Sequence, residues 1–141
     1  MKIAGIVAEY NPLHTGHLYH LNKTRELLGE DAAIVCVMSG NFTQRGDFAI
    51  FEKHARAEAA ILCGADLVLE LPLPWAISSA EGFARGGVFL LDALGCVTHL
   101  SFGSEAGHIE PLLKAARALD KPETLGYLKE ELQKGISFAA A

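Results

Sequence analysis

Three short runs are apolar without alternation: "IAGIVA" at 3–8, "AAIVCVMSG" at 32–40 and "DLVLELP" at 66–72. A strand with one wet face alternates polar and apolar residues, whereas an unbroken apolar strand is covered on both faces. Between these runs lie stretches long enough to form crossover helices. The pattern predicts a parallel sheet with helices on either side, an α/β fold of the Rossmann-like kind.

The helices follow from spacing and stop signals. "HLYHLNKTRELLG" at 17–29 puts Leu18, Leu21 and Leu28 on one side and ends at Gly29. "AIFEKHARAEAAILCGA" at 49–65 reads as a second helix, with Gly64 as the residue just past its end. Ser78 or Ser79 caps a third helix running to about Leu94, with Glu81 placed to reach back in a capping box and Gly95 as the stop. "VTHLSFGS" at 97–104 reads as a fourth strand, and "IEPLLKAARAL" and "ETLGYLKEELQKG" as two further helices. No linker or fixed-period repeat interrupts the chain, so residues 1–141 read as one domain. Doubly wound sheets commonly have more than four strands, so the domain is expected to be incomplete at its C-terminus and to be the N-terminal part of a longer protein.

Composition narrows the class. With 50% hydrophobic residues in 141, the chain can bury a substantial core. Its longest apolar run is well below the roughly 20 residues of a membrane-spanning helix, and no secretory signal pattern opens it, so no membrane partner is expected. A net charge of −5 argues against charge-driven binding of DNA or RNA over the whole surface, though not against a local basic patch. Cys36, Cys63 and Cys96 are widely spaced and form no CxxC, which predicts no metal site or disulfide framework and a reducing, cytoplasmic setting.

In a parallel α/β sheet, ligands bind beyond the carboxyl ends of the strands. "EYNPLHTGH" at 9–17 lies there, between the first strand and the first helix. A helix N-terminus attracts anions, Gly16 allows a close approach, Pro12 stiffens the turn, and His14 and His17 can donate to phosphate oxygens. Neither a GxxxxGK[ST] loop nor a GxGxxG loop is present. What remains is HxGH, spelled His14-Thr15-Gly16-His17. The plainer alternative is that the histidines cap the helix and fill the turn. His14, His17 and His20 also have metal-like spacing, but no acidic or cysteine partner completes a set. His20 is expected on the helix surface or beside an adenine.

HxGH after a first strand resembles the nucleotidyltransferase superfamily. Together with "GIVAEYNPLHTGHLYHL", "MSGNFTQRGDFAIFEKHARAEAAILCGADLVLELP", "SSAEGFARGGVFLL" and "LSFGSE", the chain resembles the bacterial tRNA(Met) cytidine acetate ligase family over nearly all its length. The resemblance implies ATP-dependent activation of acetate, of the acetyl-adenylate type. It also implies transfer of the acetyl group to N4 of the wobble cytidine of elongator tRNA(Met).

On this resemblance His14 and His17 are catalytic. The nucleotide would lie along Ile6, Val7, Ala8, Glu9, Tyr10, Asn11, Pro12, Leu13, His14, Thr15, Gly16, His17, Leu18, Tyr19 and His20, with Gly103 against it. After the second strand, Arg45, Lys53 or Arg56 reads as a contact to phosphate of ATP or of the tRNA, the plainer alternative being an ordinary solvated helix face. Mg²⁺ is expected on the phosphates, without a protein cage. The family's "PNN"-type block and downstream arginine do not occur here, which implies weak ATP binding or an incomplete reaction for these residues alone.

Glu70 in "LVLELPLPW" reads either as a functional group at a strand end or as one half of a structural pair. Trp75, Phe83, His99 and His108 read as structural. Two alternatives stand beside the ligase: an adenylyltransferase of a small phosphorylated cofactor precursor, and a nucleotide-binding module without catalysis. Neither the acyl group nor the oligomeric state can be read from these residues.

Overall fold

The structure, a computed structural model, describes residues 1–104 and 107–137. The end of the "FGSE" motif at Glu105, and residues 138–141 of the final "ISFAAA", lie outside the described residues. The sequence reads as one domain over 1–141, whereas the packing forms two compact units, Met1–Gly103 and Ser104–Ala141.

In the first unit the elements run β1 (Ile3–Ala8), α1 (Thr15–Leu28), β2 (Ala33–Ser39), α2 (Lys53–Leu62), β3 (Leu67–Leu71), α3 (Leu73–Ala76), α4 (Ala80–Ala93) and β4 (His99–Leu100). The sheet is parallel, in the order β3-β2-β1-β4. The α/β architecture expected from the apolar runs is therefore present.

The cores on its two faces explain why β2 does not alternate. Ile34, Cys36 and Met38 pack with Leu21 of α1 and Ala60 of α2 on one face. Val35 and Val37 pack with Leu91 of α4 and Ala76 of α3 on the other. Small residues bring α4 close to the sheet. A Cβ on Gly87 would sit 2.5 Å from Val7 Cγ1, and one on Gly5 would sit 2.6 Å from Leu91 Cδ1.

Several boundaries differ from expectation, each for a local reason. Helix α2 begins at Lys53 rather than at 49. The N–H of Ala49 goes to Asn41 O, that of Ile50 to Asn11 Oδ1 and that of Lys53 to Asn41 Oδ1, which holds 49–51 in a loop. Ser79 is the cap of α4 and accepts from Gly82 N–H, the third helical residue; Glu81 therefore lies one position short of a capping box. Strand β4 has two residues instead of eight and lies at the sheet edge. Leu18 is exposed, while Leu21 carries the buried face of α1. The short helix α3, with Pro72 at its N-cap and Pro74 in its first turn, had no periodicity long enough to announce it.

Charged side chains serve as ties. Arg25 near the end of α1 donates to Gly64 O, Ala32 O and Asp66 Oδ2, and Asp66 in turn accepts Ile34 N–H at 2.7 Å. Glu70 pairs with Lys53 at 2.6 Å, which settles its role as structural. Phe83 is partly buried in the α4-side core. Trp75 lies over Gly86 but remains 40% exposed, less buried than the sequence suggests. His99 Nδ1 bonds Thr98 Oγ1.

The second unit contains α5 (Ile109–Leu119) and α6 (Pro122–Gln133). His108 occupies the N-cap of α5, and Lys134 pairs with Glu131 at 2.5 Å. No helix among the described residues is long and apolar enough to cross a membrane.

Candidate nucleotide site

A cleft of about 390 Å³ opens beyond the carboxyl end of β1. Its floor is Ile6, Val7 and Ala8 of β1; one wall is Glu9 to Pro12 with His14, His17 and His20; the other is Phe102 and Gly103. The sequence anticipated all of these except Phe102. Its neighbour Gly103 drew attention for close approach, while an aromatic ending a strand usually belongs to a core. Here Phe102 is half exposed and faces the ligand space.

Five expected residues lie outside the lining. Leu13 packs against the core, and Leu18 and Tyr19 point to solvent. Thr15 and Gly16 are exposed in the first turn of α1. A Cβ on Gly16 would meet the His14 ring at 3.0 Å, so the space this glycine leaves is taken by imidazole rather than held open for a phosphate.

The two histidines of HTGH cap the helix reciprocally. His14, in extended conformation at the N-cap, accepts Gly16 N–H at Nδ1 over 3.1 Å. His17 Nδ1 accepts the N–H of His14 at 3.3 Å. The rings stack with centroids 3.8 Å apart, and Tyr10 meets His17 edge-on at 5.0 Å.

Capping and ligand contact are thus not alternatives. A neutral ring whose Nδ1 accepts must carry its proton on Nε2. Each histidine keeps one donor, on the ring edge opposite the helix backbone. Burial, reinforced by His14 and His20, lowers the pKa of His17 below its ordinary 6.5, which favours this neutral form.

The turn between β1 and α1 is rigidly seated. Tyr10 has φ 48, a left-handed conformation that is uncommon outside glycine, and is held there by burial and by a 3.4 Å contact of its hydroxyl with Cys36 Sγ. Burial pushes both the Tyr10 phenol and the Cys36 thiol upward, keeping the pair neutral. The Asn11–Pro12 peptide is cis.

The cationic residues expected to meet phosphate separate into different roles. Arg56 is 2% exposed and gives its guanidinium to carbonyls: Glu9 O at 2.6 Å, Ser39 O and Phe51 O at 3.1 Å, and Gly40 O. It joins the ends of β1 and β2 and is not open to a ligand. Lys53 is committed to Glu70. Arg45 alone of the three is exposed, at the tip of a small hairpin closed by the Phe42–Phe48 bridge. Among the described residues no three histidine, cysteine, aspartate or glutamate side chains gather to hold a metal ion.

A parallel sheet, a cleft at the end of its first strand and paired imidazoles opening the next helix mark an α/β domain of the nucleotidyltransferase class. The chain belongs to the HIGH Nucleotidyl Transferase family, whose sequence model matches residues 1–141. It is 49% identical over its whole length to the tRNA(Met) cytidine acetate ligase of Clostridium novyi and 50% identical to that of Acetivibrio thermocellus. It covers 36% and 34% of those proteins, so the chain spans about a third of the length of the curated relatives it matches. Thermotoga maritima TmcAL bound with alpha-thio ATP superposes with a TM-score of 0.89 at 52% identity, over 98% of this chain and 34% of that one.

Proposed function

We propose that this chain is the nucleotide-binding part of an ATP-dependent ligase that activates acetate and delivers the acetyl group to N4 of the wobble cytidine of elongator tRNA(Met). The observation that carries this reading is the pair of Nε2–H donors of His14 and His17 at one cleft, in a chain about half identical to tRNA(Met) cytidine acetate ligases.

The triphosphate lies against the His14–His17 edge. An acetate oxygen attacks the α-phosphorus and pyrophosphate leaves, giving acetyl-adenylate. Negative charge accumulates on the α-phosphate oxygens during that attack, and fixed donors stabilise it more than they stabilise the ground state. The cytidine N4 then attacks the acetyl carbonyl carbon, AMP departs, and the amine loses one proton. Mg²⁺ would be held by the phosphates themselves, since the described residues gather no protein cage for it. Arg45, the exposed one of the three cations, would meet a phosphate of the leaving group or of the RNA. The reaction belongs to the cytoplasm, where charged tRNA is made.

The test is turnover of ATP to AMP and pyrophosphate by the full-length protein, with acetate and elongator tRNA(Met) added singly and together. Stimulation by acetate that disappears in His17→Ala, with a further requirement for the tRNA, supports the ligase. AMP retained on a phosphorylated small molecule would instead indicate an adenylyltransferase. ATP bound without any turnover, and unaffected by His17→Ala, would leave a binding module.

A further inference from the structure

His20 lines the same cleft one turn beyond His17, but its hydrogen bonds have the opposite sense. Its Nε2 lies 2.9 Å from Ser101 Oγ, and Ser101 Oγ lies 2.7 Å from Thr24 Oγ1. Thr24 Oγ1 donates to His20 O at 2.8 Å. With all three hydrogen bonds made at once, only one assignment of the protons is possible. A threonine hydroxyl has one hydrogen, and it is spent on a carbonyl, which can only accept. Thr24 must therefore accept from Ser101. Ser101, having given its own hydrogen to Thr24, must accept from His20 Nε2–H. The neutral ring then has a bare lone pair at Nδ1, the one polar ring atom left for a ligand.

We propose that His20 is a specificity-determining residue of the cleft: locked as an acceptor by Ser101 and Thr24, it selects a ligand that offers a hydrogen-bond donor beside it. This rests on the reading of the cleft as a nucleotide site. His14 and His17 present donors, suited to an anion; His20 presents an acceptor, suited to a hydroxyl or amino group. Burial lowers the pKa of His20 below 6.5, in keeping with a neutral ring. His20 lies three positions along the helix from His17, about 4.5 Å of rise. A ribose hydroxyl lies closer to the α-phosphate than the exocyclic amino group of the base does, so a ribose hydroxyl fits this spacing better.

Two measurements test the proposal. The first is binding of ATP, 2′-deoxy-ATP, 3′-deoxy-ATP and inosine triphosphate to the wild type and to Ser101→Ala. One deoxy analogue should bind the wild type about tenfold more weakly than ATP, the size of one hydrogen bond. The gap should shrink in Ser101→Ala, where the imidazole is free to change tautomer. A gap confined to inosine triphosphate would keep the acceptor role and move the donor to the base amino group. Equal binding of all four nucleotides, or a gap untouched by Ser101→Ala, would overturn the proposal. ATP failing to bind the wild type would remove the nucleotide reading as well, so the two failures are distinguishable.

The second measurement needs no variant: imidazole ¹⁵N chemical shifts of the wild type at neutral pH. A protonated Nε2 and bare Nδ1 on His20 are expected. The opposite tautomer, or a charged ring, would refute the relay.

Discussion

Asn11 Oδ1 accepts the backbone N–H of Ile50 at 2.7 Å, which joins the turn carrying His14 to the loop before α2. A second tie runs beside it, from Gln44 N–H to Glu9 Oε1. The hairpin that presents Arg45 is thereby anchored to the wall of the cleft. Asn11→Ala should cost about 1 kcal/mol of stability, whereas Asn11→Asp, which retains the accepting oxygen, should cost less. Denaturant titration checks this; equal losses of stability in the two variants would show that the oxygen is not what matters.

His17→Ala removes both a donor and half of a cap. Loss of one preorganised donor at a reacting phosphate should lower kcat by about 10²- to 10³-fold. The cap accounts for about 1 kcal/mol of helix stability, visible in thermal melting. A variant that melts early but turns over normally while folded would take His17 out of the chemistry.

Arg56→Met should be among the most damaging single changes in the first unit. It strips charged donors from buried carbonyls of Glu9, Ser39, Gly40 and Phe51, at about 1.5–3 kcal/mol for each strong bond. Arg56→Lys should fail nearly as badly, because an ammonium cannot reproduce the planar fork. Chemical unfolding gives the answer, and a loss under 1 kcal/mol in Arg56→Met would contradict it.

Gly87→Val should destabilise by about 1–3 kcal/mol, because its Cβ would enter Val7 and press α4 off the sheet. Val7 lies on the cleft floor, so ATP affinity should fall as well. The melting temperature and the ATP dissociation constant report the two effects separately.

Acid should weaken the fold through His17 and His20, whose folded pKa values both lie below 6.5. The unfolded chain then binds more protons between those folded values and 6.5, so stability rises with pH across that window. The contribution is complete above pH 6.5, declines as pH falls through the window, and becomes constant below the folded values. Unfolding free energies measured from pH 8 to 5 should show this slope, reduced in His20→Phe. An unchanged slope in that variant would assign the acid sensitivity elsewhere.

How much of this was legible beforehand depended on the range of the interaction. The parallel sheet followed from apolar runs such as Ala33–Ser39, because a strand covered on both faces leaves its mark in composition alone. The cleft followed from the position of HTGH after β1. Arg56 did not, because a lone arginine at helical spacing looks the same whether its guanidinium meets solvent or backbone carbonyls. Phe102 and the Thr24–Ser101–His20 relay depend on residues 77 or more positions apart meeting in space, which no local pattern records. The capping by His14 and His17 was in view as a competitor to ligand binding, but it uses only Nδ1 of each ring and leaves Nε2 unspent, so the two do not compete.

That sharing restricts what can replace either ring. An accepting nitrogen toward the helix and a donating nitrogen away from it require two unlike atoms on opposite edges of one rigid plane. No other natural side chain has them: asparagine and glutamine carry both atoms side by side, and lysine and arginine only donate. Any substitute must therefore give up either the start of α1 or the donor on the far edge of the ring. On the proposed function, local folding and chemistry would be exposed to the same mutations at positions 14 and 17.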